Sequence, residues 1–349
     1  MINAISLFSG AGIGELLISD KVNVVLANEI NKKRADLYNF FFPNTKMICG
    51  DIVSDNVQNS LKKIKKDIDL IIATPPCQGV SSLGKNKLQK SFLIDKRNFL
   101  VFMTFPLIHF YQPNYVLIEN TERFSKMFFP HQGKLMLLKD ILEIEFGNKY
   151  NIEVELLNCM DFDIPQSRPR VIIRLIKKGL NWALPKKSKV ITLKDCIYNL
   201  PSLNPGEKSN LKWHYANDHK ASIIDCLKYT PEGKSALQNN QHYPRNKDGE
   251  KIKGFHNTYK RLKWNRPCST RTTYSGSLSS HNNVHPGRRL KDSLYSDPRV
   301  LTLLETFIVS TIPTDINFPD WVTDSFIREV IGEGVPPLFI KKIIGKLIE

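Results

Sequence analysis

Cys77 is the side chain in this sequence best suited to covalent chemistry, because it stands directly after two prolines in the run Pro75-Pro76-Cys77-Gln78. The prolines restrict the backbone before the thiol and favour a turn there over a continuing strand. A cysteine becomes a strong nucleophile when a nearby cation or a helix N-terminus lowers the pKa of its thiol. Cys49, Cys159 and Cys196 better suit the ordinary role of a small core side chain. The pattern therefore predicts a thiolate nucleophile at Cys77.

Polar or glycine-rich segments follow several apolar runs that are typical of strands. The apolar runs are Ala4–Phe8, Val22–Ala27, Lys46–Cys49, Asp69–Ala73 and Tyr115–Ile118. The segments after them are, in the same order, 9–14, Asn28-Glu29, Gly50-Asp51, 74–78 and Glu119-Asn120. In an open parallel sheet, ligands bind beyond the carboxyl ends of the strands. The arrangement therefore predicts one site at one edge of the sheet.

The segment after the first run has glycines at positions 10, 12 and 14, which allow a ligand to approach the backbone closely. Glu15 replaces the last glycine or alanine of the dinucleotide fingerprint, and the loop has no lysine or arginine for a phosphate. Glu29 could accept both hydroxyl groups of a ribose, and Asp51 could accept the amino group of adenine. Either acid alone is equally well explained as a helix cap or a first-turn charge. Together they indicate an adenosine without phosphates, which S-adenosylmethionine provides.

Glu119, Arg168 and Arg170 are candidate partners for the thiol. Glu119 follows a run rich in β-branched residues and is expected to point to the same edge as Cys77. A carboxylic acid there could donate a proton to a substrate if burial raises its pKa. The two arginines could supply positive charge to the thiol and to a substrate oxygen, and a surface ion pair is the less favoured alternative.

Strand-like runs alternate with helical stretches through the first half of the chain. Helices are predicted over Lys32–Phe42 and Asn98–Phe110, and a further strand over Val171–Ile176. This alternation predicts an α/β fold with a doubly wound, mostly parallel sheet. Residues 184–190 are typical of a linker. Helical spacing returns at Leu301–Ser310 and Pro336–Ile348.

Positive charge is concentrated in the region after the linker. The whole chain has a net charge of +16. Residues 204–299 hold 18 lysines and arginines and 8 acids, so they contribute +10 of that charge. Six of the eight histidines lie in the same region. A localised basic region indicates binding to a polyanion such as a nucleic acid.

Several classes of protein are disfavoured by composition. No run approaches the roughly 20 apolar residues that a membrane helix needs, and the N-terminus lacks the basic start of a secretion signal. A cytoplasmic location is therefore expected. None of the six cysteines forms a Cys-x-x-Cys pair, which argues against a zinc knuckle or a redox motif. We expect a monomer that binds neither a metal nor a membrane.

The ordered motifs resemble those of the DNA cytosine-5 methyltransferase family along almost the whole chain. The motifs that carry the resemblance are Phe8-Ser9-Gly10-Ala11-Gly12, Glu29, Gly50-Asp51-Ile52, Pro75-Pro76-Cys77-Gln78, Asp95-Lys96-Arg97 with Leu100, Glu119-Asn120, Gln166-Ser167-Arg168-Pro169-Arg170, Arg299 with Leu301, Thr302 and Glu305, and Gly332-Glu333-Gly334-Val335-Pro336-Pro337. The combined set is specific, whereas the glycine loop alone is not.

The resemblance implies a Rossmann-like, S-adenosylmethionine-dependent methyltransferase with a smaller target-recognition domain inserted into it. The implied catalytic domain covers residues 1–189, the insert 190–298, and the returning C-terminal segment 299–349. The implied reaction methylates C5 of a flipped-out cytosine in double-stranded DNA through a covalent bond between Cys77 and C6. By resemblance to prokaryotic members, the enzyme would modify DNA in a restriction-modification system with a cognate endonuclease.

The resemblance also assigns roles to individual residues. The implied catalytic residues are Cys77, Glu119, Arg168 and Arg170. The implied cofactor contacts are Phe8, Gly10, Ala11, Gly12, Glu29, Ile30, Asp51, Ile52, Pro76 and Leu100. The predicted DNA contacts are Gln78, Ser81, Lys85, Arg261, Arg266, Arg271 and Arg288.

Some positions depart from the family pattern, and alternative functions remain open at this stage. Ile13 stands at a usual glycine, Val80 at a common phenylalanine, and Glu333 at an asparagine that the resemblance places near the cofactor. The nearest alternative is an RNA cytosine-5 methyltransferase of the same fold, although its small insert and Cys-Phe-Thr segment are missing here. The other two are a nicotinamide-dependent oxidoreductase and a non-catalytic DNA-binding module.

Overall fold

The computed structural model describes residues 1–76 and 89–347, with the backbone alone for 89–91. The predicted site residues Cys77, Gln78, Ser81 and Lys85 lie outside the described residues. The chain forms two compact units. The first unit consists of Met1–Asn158, Pro169–Pro185 and Ile340–Glu349, and the second of Cys159–Arg168 and Lys186–Phe339.

Strands dominate the first unit and short helices the second. The strands are β1 (Ile2–Leu7), β2 (Val22–Glu29), β3 (Lys46–Cys49), β4 (Leu70–Ala73), β5 (Tyr115–Thr121), β6 (Phe128–His131), β7 (Lys134–Leu137), β8 (Tyr150–Asn158), β9 (Gln166–Ser167), β10 (Pro169–Lys177) and β11 (Cys268–Ser269). The α-helices are α1 (Lys32–Phe41), α2 (Asp55–Leu61), α3 (Gln89–Ile94), α4 (Phe105–Tyr111), α5 (Leu138–Phe146), α6 (Leu193–Ile197), α7 (Ala221–Lys228), α8 (Leu303–Val309), α9 (Asp324–Glu333) and α10 (Pro337–Gly345). Short 3-10 helices cover Ile13–Glu15, Lys96–Thr104, Glu122–Lys126, Cys159–Asp161, Ala236–Gln238 and Lys291–Ser293.

A seven-stranded sheet with the order β3-β2-β1-β4-β5-β10-β8 organises the first unit. The strands from β3 to β5 pair in parallel, and β10 runs antiparallel to both β5 and β8. This confirms the predicted α/β fold with a mostly parallel sheet. The sequence reading missed the edge strand β8, although Ile152, Val154 and Leu156 alternate with polar residues as half-buried strands do.

The central strands are apolar throughout because both faces of the sheet are covered. All four residues of β4 are buried, and Val116, Leu117 and Ile118 of β5 are fully buried. Helices and loops of the first unit pack against them, including Val101, Leu107 and Phe146. Each such side chain contributes about 1.5–3 kcal/mol when it is removed from water. Packing in the core therefore fixes the positions of these strands and of the residues at their ends.

The predicted helix over Asn98–Phe110 proves to be two elements. A 3-10 helix covers Lys96–Thr104, and α4 begins at Phe105. Pro106 lies in the first turn of α4, where its missing N–H would have no partner in any case. Inside a single long helix, the same proline would remove a hydrogen bond and clash with the preceding turn.

The second compact unit extends beyond residues 190–298, for which the sequence predicts an insert, and the predicted domain bounds stay a prediction. It begins near the predicted linker at Lys186 but ends at Phe339, and it also contains residues 159–168. Arg299 is fully buried and forms ion pairs of 2.8 Å with Asp297 and Glu305. Val300 packs with Val284 in the core of this unit. These contacts join the segment after residue 298 to the insert.

A buried charge cluster thus lies in the core of the second unit. Burial alone would raise the pKa of Glu305, but Arg299 and His285 hold it well below its ordinary value. Burial, followed by the charge of Arg299, lowers the pKa of His285 to about 4. His285 is therefore neutral at pH 7.

None of the helices described in the structure has the length and the apolar character that a membrane span requires.

Candidate active site

Hydrogen bonds join the segments that follow the first four strands of the sheet. The backbone N–H of Ser9 donates to the Asn28 carbonyl at 3.0 Å. The Asn28 amide donates in turn to the Gly50 carbonyl at 3.1 Å. The Thr74 hydroxyl donates to the Phe8 carbonyl at 3.0 Å. The segments that were predicted to share one edge of the sheet are therefore bonded to one another.

The glycine loop after β1 has backbone conformations that restrict which residues fit there. Phe8, Gly10 and Gly12 have φ angles of 57°, 56° and 74°. A Cβ atom on Gly12 would lie 2.5 Å from the Phe42 ring and 2.9 Å from the Tyr38 ring, so only glycine fits. A Cβ atom on Gly10 would meet nothing within 4 Å. The loop is thus packed tightly at Gly12 and open at Gly10, where a ligand could approach.

Glu29 and Asp51 both accept hydrogen bonds from backbone N–H groups. The Glu29 carboxylate, which is 6% exposed, accepts from Gly10 at 3.0 Å and from Asn31 at 2.7 Å. The Asp51 carboxylate is exposed and accepts from Val53 at 3.0 Å. Each carboxylate oxygen has a second lone pair, so these bonds leave room for a ligand hydroxyl or amino group. The residues at this edge therefore fit an adenosine without phosphates.

The other predicted cofactor contacts differ in exposure. Ile30 is 64% exposed, whereas Ala11 and Ile52 are 4% and 3% exposed. Pro76 and Leu100 are half-buried. Ile30 is the most accessible of these side chains, and Ala11 and Ile52 could reach a ligand through their backbone.

Asn120 holds the chain immediately before Cys77. Its side-chain amide donates to the Pro75 carbonyl at 3.1 Å, and its Oδ1 accepts the Thr121 N–H at 2.8 Å. Asn120 is 2% exposed, so both bonds are protected from water. The sequence reading assigned no role to this asparagine. The signal in the sequence that could have identified it is an amide residue directly after an acid at the end of an apolar run.

Glu119 and Arg170 form an ion pair at the end of the same strand. The distance from Arg170 Nε to Glu119 Oε1 is 2.6 Å, and the two side chains are 11% and 9% exposed. Glu119 lies opposite Ile172 in the β5–β10 register, so Arg170 is its diagonal neighbour on the same face of the sheet. The antiparallel strand β10 thus places a cation beside the predicted acid.

Arg168, whose catalytic role stays a prediction, is a buried arginine with several carbonyl partners. It belongs to the second unit and is 2% exposed. Its guanidinium donates to the carbonyl groups of Arg271, Gly332 and Glu333 at 3.1, 3.0 and 3.1 Å. A Cβ atom on Gly332 would lie 2.3 Å from the Thr272 backbone. Arg168 therefore holds three segments of the second unit together, because its rigid fork of donors suits several carbonyl groups at once.

Replacing Arg168 by alanine should lower the free energy of unfolding by about 3–5 kcal/mol, because buried carbonyl groups would lose charged donors. Urea unfolding followed by circular dichroism measures this change. Arg289→Ala, at an exposed arginine of the same unit, is the matched control and should change stability by less than about 0.5 kcal/mol. Equal stability of the two variants would contradict the structural role.

The predicted DNA contacts in the second unit separate into two groups. Arg261 and Arg271 are each 1% exposed, which disfavours them as DNA contacts, and their predicted role stays a prediction. Arg261 donates to the carbonyl groups of His285, Asp297 and Leu227, and Arg271 donates to Asn283, Asn282 and Ser269. Both guanidinium groups therefore face partners inside the second unit in this structure. Arg266 is exposed, and the half-buried Arg288 donates to the carbonyl groups of Tyr198 and Leu200.

Comparison with known proteins identifies the family. The family model for C-5 cytosine-specific DNA methylases matches residues 2–349. The chain belongs to this family. The methylase is also 44% identical to the Type II methyltransferase M1.HgaI of Avibacterium volantium over 349 residues, which covers 99% of this chain and 98% of that protein. It is 27% identical to the Type II methyltransferase M1.HphI of Haemophilus parahaemolyticus, with 99% and 86% covered.

Solved structures with low sequence identity share the fold of the methylase. A prophage-encoded DNA modification methyltransferase from E. coli aligns over 100% of both chains with a TM-score of 0.65 and 20% identity. The Dnmt2 methyltransferase of S. pombe aligns over 100% of this chain and 98% of its own, with a TM-score of 0.64 and 14% identity. The family match over residues 2–349 and the 44% identical relative make the methylase an enzyme of the DNA (cytosine-5-)-methyltransferase class, which disfavours the oxidoreductase and the non-catalytic alternatives.

Most of the described cysteines of the methylase lie in surroundings that do not suit a nucleophile. Burial raises the pKa of Cys196 to about 12, and it also raises the pKa of Cys226 and Cys268. Thiols with raised pKa values stay protonated at pH 7 and react poorly. Cys159 is buried as well, whereas Cys49 is exposed. Cys77 lies outside the described residues, so its assignment stays a prediction.

Proposed function

We propose that this methylase transfers a methyl group from S-adenosylmethionine to C5 of a cytosine that is flipped out of double-stranded DNA. Cys77 would be the nucleophile. The observation that best supports this is the joint placement of the Glu119–Arg170 pair and of Asn120, which holds the Pro75 carbonyl two residues before the thiol. An acid, a cation and the anchored nucleophile loop are the parts that addition to a pyrimidine requires.

The proposed reaction begins with addition of the Cys77 thiolate to C6, because C5 of cytosine is a poor nucleophile. The new S–C6 bond moves electrons onto the ring and makes C5 an enamine carbon, so that one difficult step becomes two easier ones. When bound, S-adenosylmethionine supplies an electrophilic methyl group. C5 takes that methyl group, a base then removes the C5 proton, and the S–C6 bond breaks to release the thiolate.

Glu119 and Arg170 would stabilise the ring during addition. Glu119 is proposed to take up a proton from solvent on the oxygen that does not face Arg170 and to donate that proton, or a hydrogen bond from it, to N3, where negative charge develops. Arg170 would hold the oxygen of the base and keep Glu119 oriented through the 2.6 Å ion pair. Both groups are almost buried, so their interactions would be stronger than in water.

The edge formed by the glycine loop, Glu29 and Asp51 would hold the cofactor. Gly10 would bring its backbone close to the ligand, Glu29 would accept the ribose hydroxyl groups, and Asp51 would accept the adenine amino group. Phe8, Ala11, Gly12, Ile30, Ile52, Pro76 and Leu100 would complete the pocket.

The second unit would read the DNA sequence, and Arg266 and Arg288 are its proposed contacts. Thiolate attack at C6 and contact at N3 cannot both occur within the base stack, so flipping is required at a cost of a few kcal/mol. Gln78, Ser81 and Lys85 are proposed to contact the DNA around the vacated position. Likeness to Type II methyltransferases supports a role in restriction-modification beside a cognate endonuclease.

The proposed activity is tested with a random DNA library, S-adenosylmethionine with a labelled methyl group, and mapping of 5-methylcytosine. We expect methylation of cytosine at one sequence in double-stranded DNA. RNA with the same base composition is the control and should take up no label. Label on RNA alone, or label on adenine, would contradict the proposal.

Binding to DNA should depend strongly on salt. If about 6–10 phosphates are contacted, the affinity should fall roughly 10³–10⁵-fold between 50 and 200 mM salt. Replacing Arg266 by glutamine should reduce the slope of log affinity against log salt by about one. The control Lys178→Gln makes the same change of charge at an exposed position of the first unit and should leave the slope unchanged. Fluorescence anisotropy with a labelled duplex measures both slopes, and a nearly flat response would contradict a basic DNA interface.

A further inference from the structure

A buried carboxylate lies behind the glycine loop. Glu15 is 5% exposed, and its two oxygens accept hydrogen bonds of 2.5 Å from the hydroxyl groups of Ser6 on β1 and Tyr38 on α1. Within the described chain, no lysine, arginine or histidine pairs with it. A carboxylate buried without a counter-ion is costly, and polar or apolar residues of similar size would avoid that cost.

Glu15 is coupled to the loop through short contacts. Its N–H donates to the Gly12 carbonyl at 2.9 Å, and the Gly12 N–H donates to the Ser9 carbonyl at 3.0 Å. The Tyr38 ring that bonds Glu15 also leaves no room for a Cβ atom on Gly12. A change in the Glu15–Tyr38 hydrogen bond therefore acts directly on the backbone of the loop.

The pKa of Glu15 lies near neutral pH. Burial raises the pKa of Glu15 to about 7, against the lowering effect of the hydrogen bonds from Ser6 and Tyr38. Tyr38 is the one titratable group among these described partners. Burial and the neighbouring carboxylate raise the pKa of Tyr38 well above its ordinary value, so it stays neutral. Of Glu15 and its described partners Ser6 and Tyr38, Glu15 is thus the group that can change charge between pH 6 and 8.

We propose that Glu15 is a positioning residue whose ionisation is linked to binding of the methyl donor, an inference that rests on the proposed function. S-adenosylmethionine carries a positive sulfonium, whereas the product S-adenosylhomocysteine is a neutral thioether at that atom. An unpaired buried carboxylate favours a cationic ligand over a neutral one of the same shape. Linkage is reciprocal, so the donor favours the ionised form of Glu15 and the product does not. Glu15 would thereby favour exchange of product for donor.

Isothermal titration of donor and product between pH 6 and 8.5, in buffers with different ionisation enthalpies, tests this linkage on the unmodified protein. We expect protons to be released when the donor binds near pH 7 and none when the product binds. If donor binding lowers the Glu15 pKa by about one unit, the ratio of donor affinity to product affinity rises about fivefold across this range. Glu15→Gln should make that ratio independent of pH.

Two tyrosine variants distinguish a change in the linkage between Glu15 ionisation and donor binding from a general loss of stability. Tyr38→Phe keeps the ring against Gly12 but removes the hydroxyl from Glu15, so the pH response should move to higher pH. Tyr150→Phe is the matched control, because it removes a buried hydroxyl that donates to the Pro113 carbonyl at 2.9 Å on edge strand β8. It should respond to pH as the unmodified protein does.

The outcomes distinguish this inference from the proposed function. An affinity ratio that does not change with pH in the unmodified protein would overturn the linkage and leave the methyl-transfer proposal standing. A pH response that persists in Glu15→Gln would also overturn it. Absence of S-adenosylmethionine binding at every pH would overturn the proposed function, and the linkage with it.

Discussion

Replacing Cys77 by serine is expected to reduce methyl transfer by at least about 10⁴-fold, because a hydroxyl group forms far less anion at pH 7 than a thiol and adds poorly to C6. The affinity for S-adenosylmethionine should stay within about twofold, since the Cys77 side chain is not among the proposed cofactor contacts. Single-turnover transfer of labelled methyl groups and isothermal titration measure the two effects separately.

A control variant at another cysteine and a substrate that traps the covalent intermediate make this test more specific. Cys196→Ser changes a thiol whose pKa is raised to about 12, so it should leave transfer near the unmodified rate. DNA with 5-fluorocytosine at the target should form a covalent complex with the unmodified enzyme, because fluorine cannot leave as a proton does. Cys77→Ser should form none. Substantial activity in Cys77→Ser, or normal turnover without trapping, would refute the nucleophile assignment.

Replacing Glu119 by glutamine is expected to lower kcat by about 10²–10⁴-fold, the usual contribution of a positioned general acid. Glutamine keeps the shape and can accept a hydrogen bond from Arg170, but it cannot donate a proton to N3 as an acid does. The KM for DNA should change little, because the binding surface stays intact. Steady-state rates on a duplex with the methylated sequence measure both parameters.

A surface glutamate provides the matched control for Glu119. Glu122 lies three residues further on and pairs with Lys126 at 2.7 Å, with a side chain that is 42% exposed. Such exposed pairs contribute at most about 1 kcal/mol, so Glu122→Gln should retain the unmodified rate. A Glu119→Gln enzyme with normal kcat, or one that loses activity only through a raised KM, would remove Glu119 from the proposed chemistry.

The sequence by itself predicted the fold class and the edge of the sheet at which the segments after the strands meet. Parallel strands covered on both faces are short and apolar throughout, so β1 to β5 are visible as runs. Polar or glycine-rich residues then mark the carboxyl end of each run, as Ser9, Asn28, Thr74 and Glu119 do. Local composition is enough for this step because each signal lies within a few residues of its strand.

Only the tertiary structure decided which charged residues are accessible and which pairs form. Arg168, Arg261 and Arg271 look like their exposed neighbours in the sequence, yet each is buried and bonded to distant carbonyl groups. The same holds for Arg299, whose ion pairs place residues after 298 in the second unit. Local sequence carries little information about burial of a long cationic side chain, because its partners come from segments far along the chain. The diagonal pairing of Glu119 with Arg170 likewise depends on strand register, because the two residues are 51 positions apart in the sequence and their strands become neighbours only in the folded sheet.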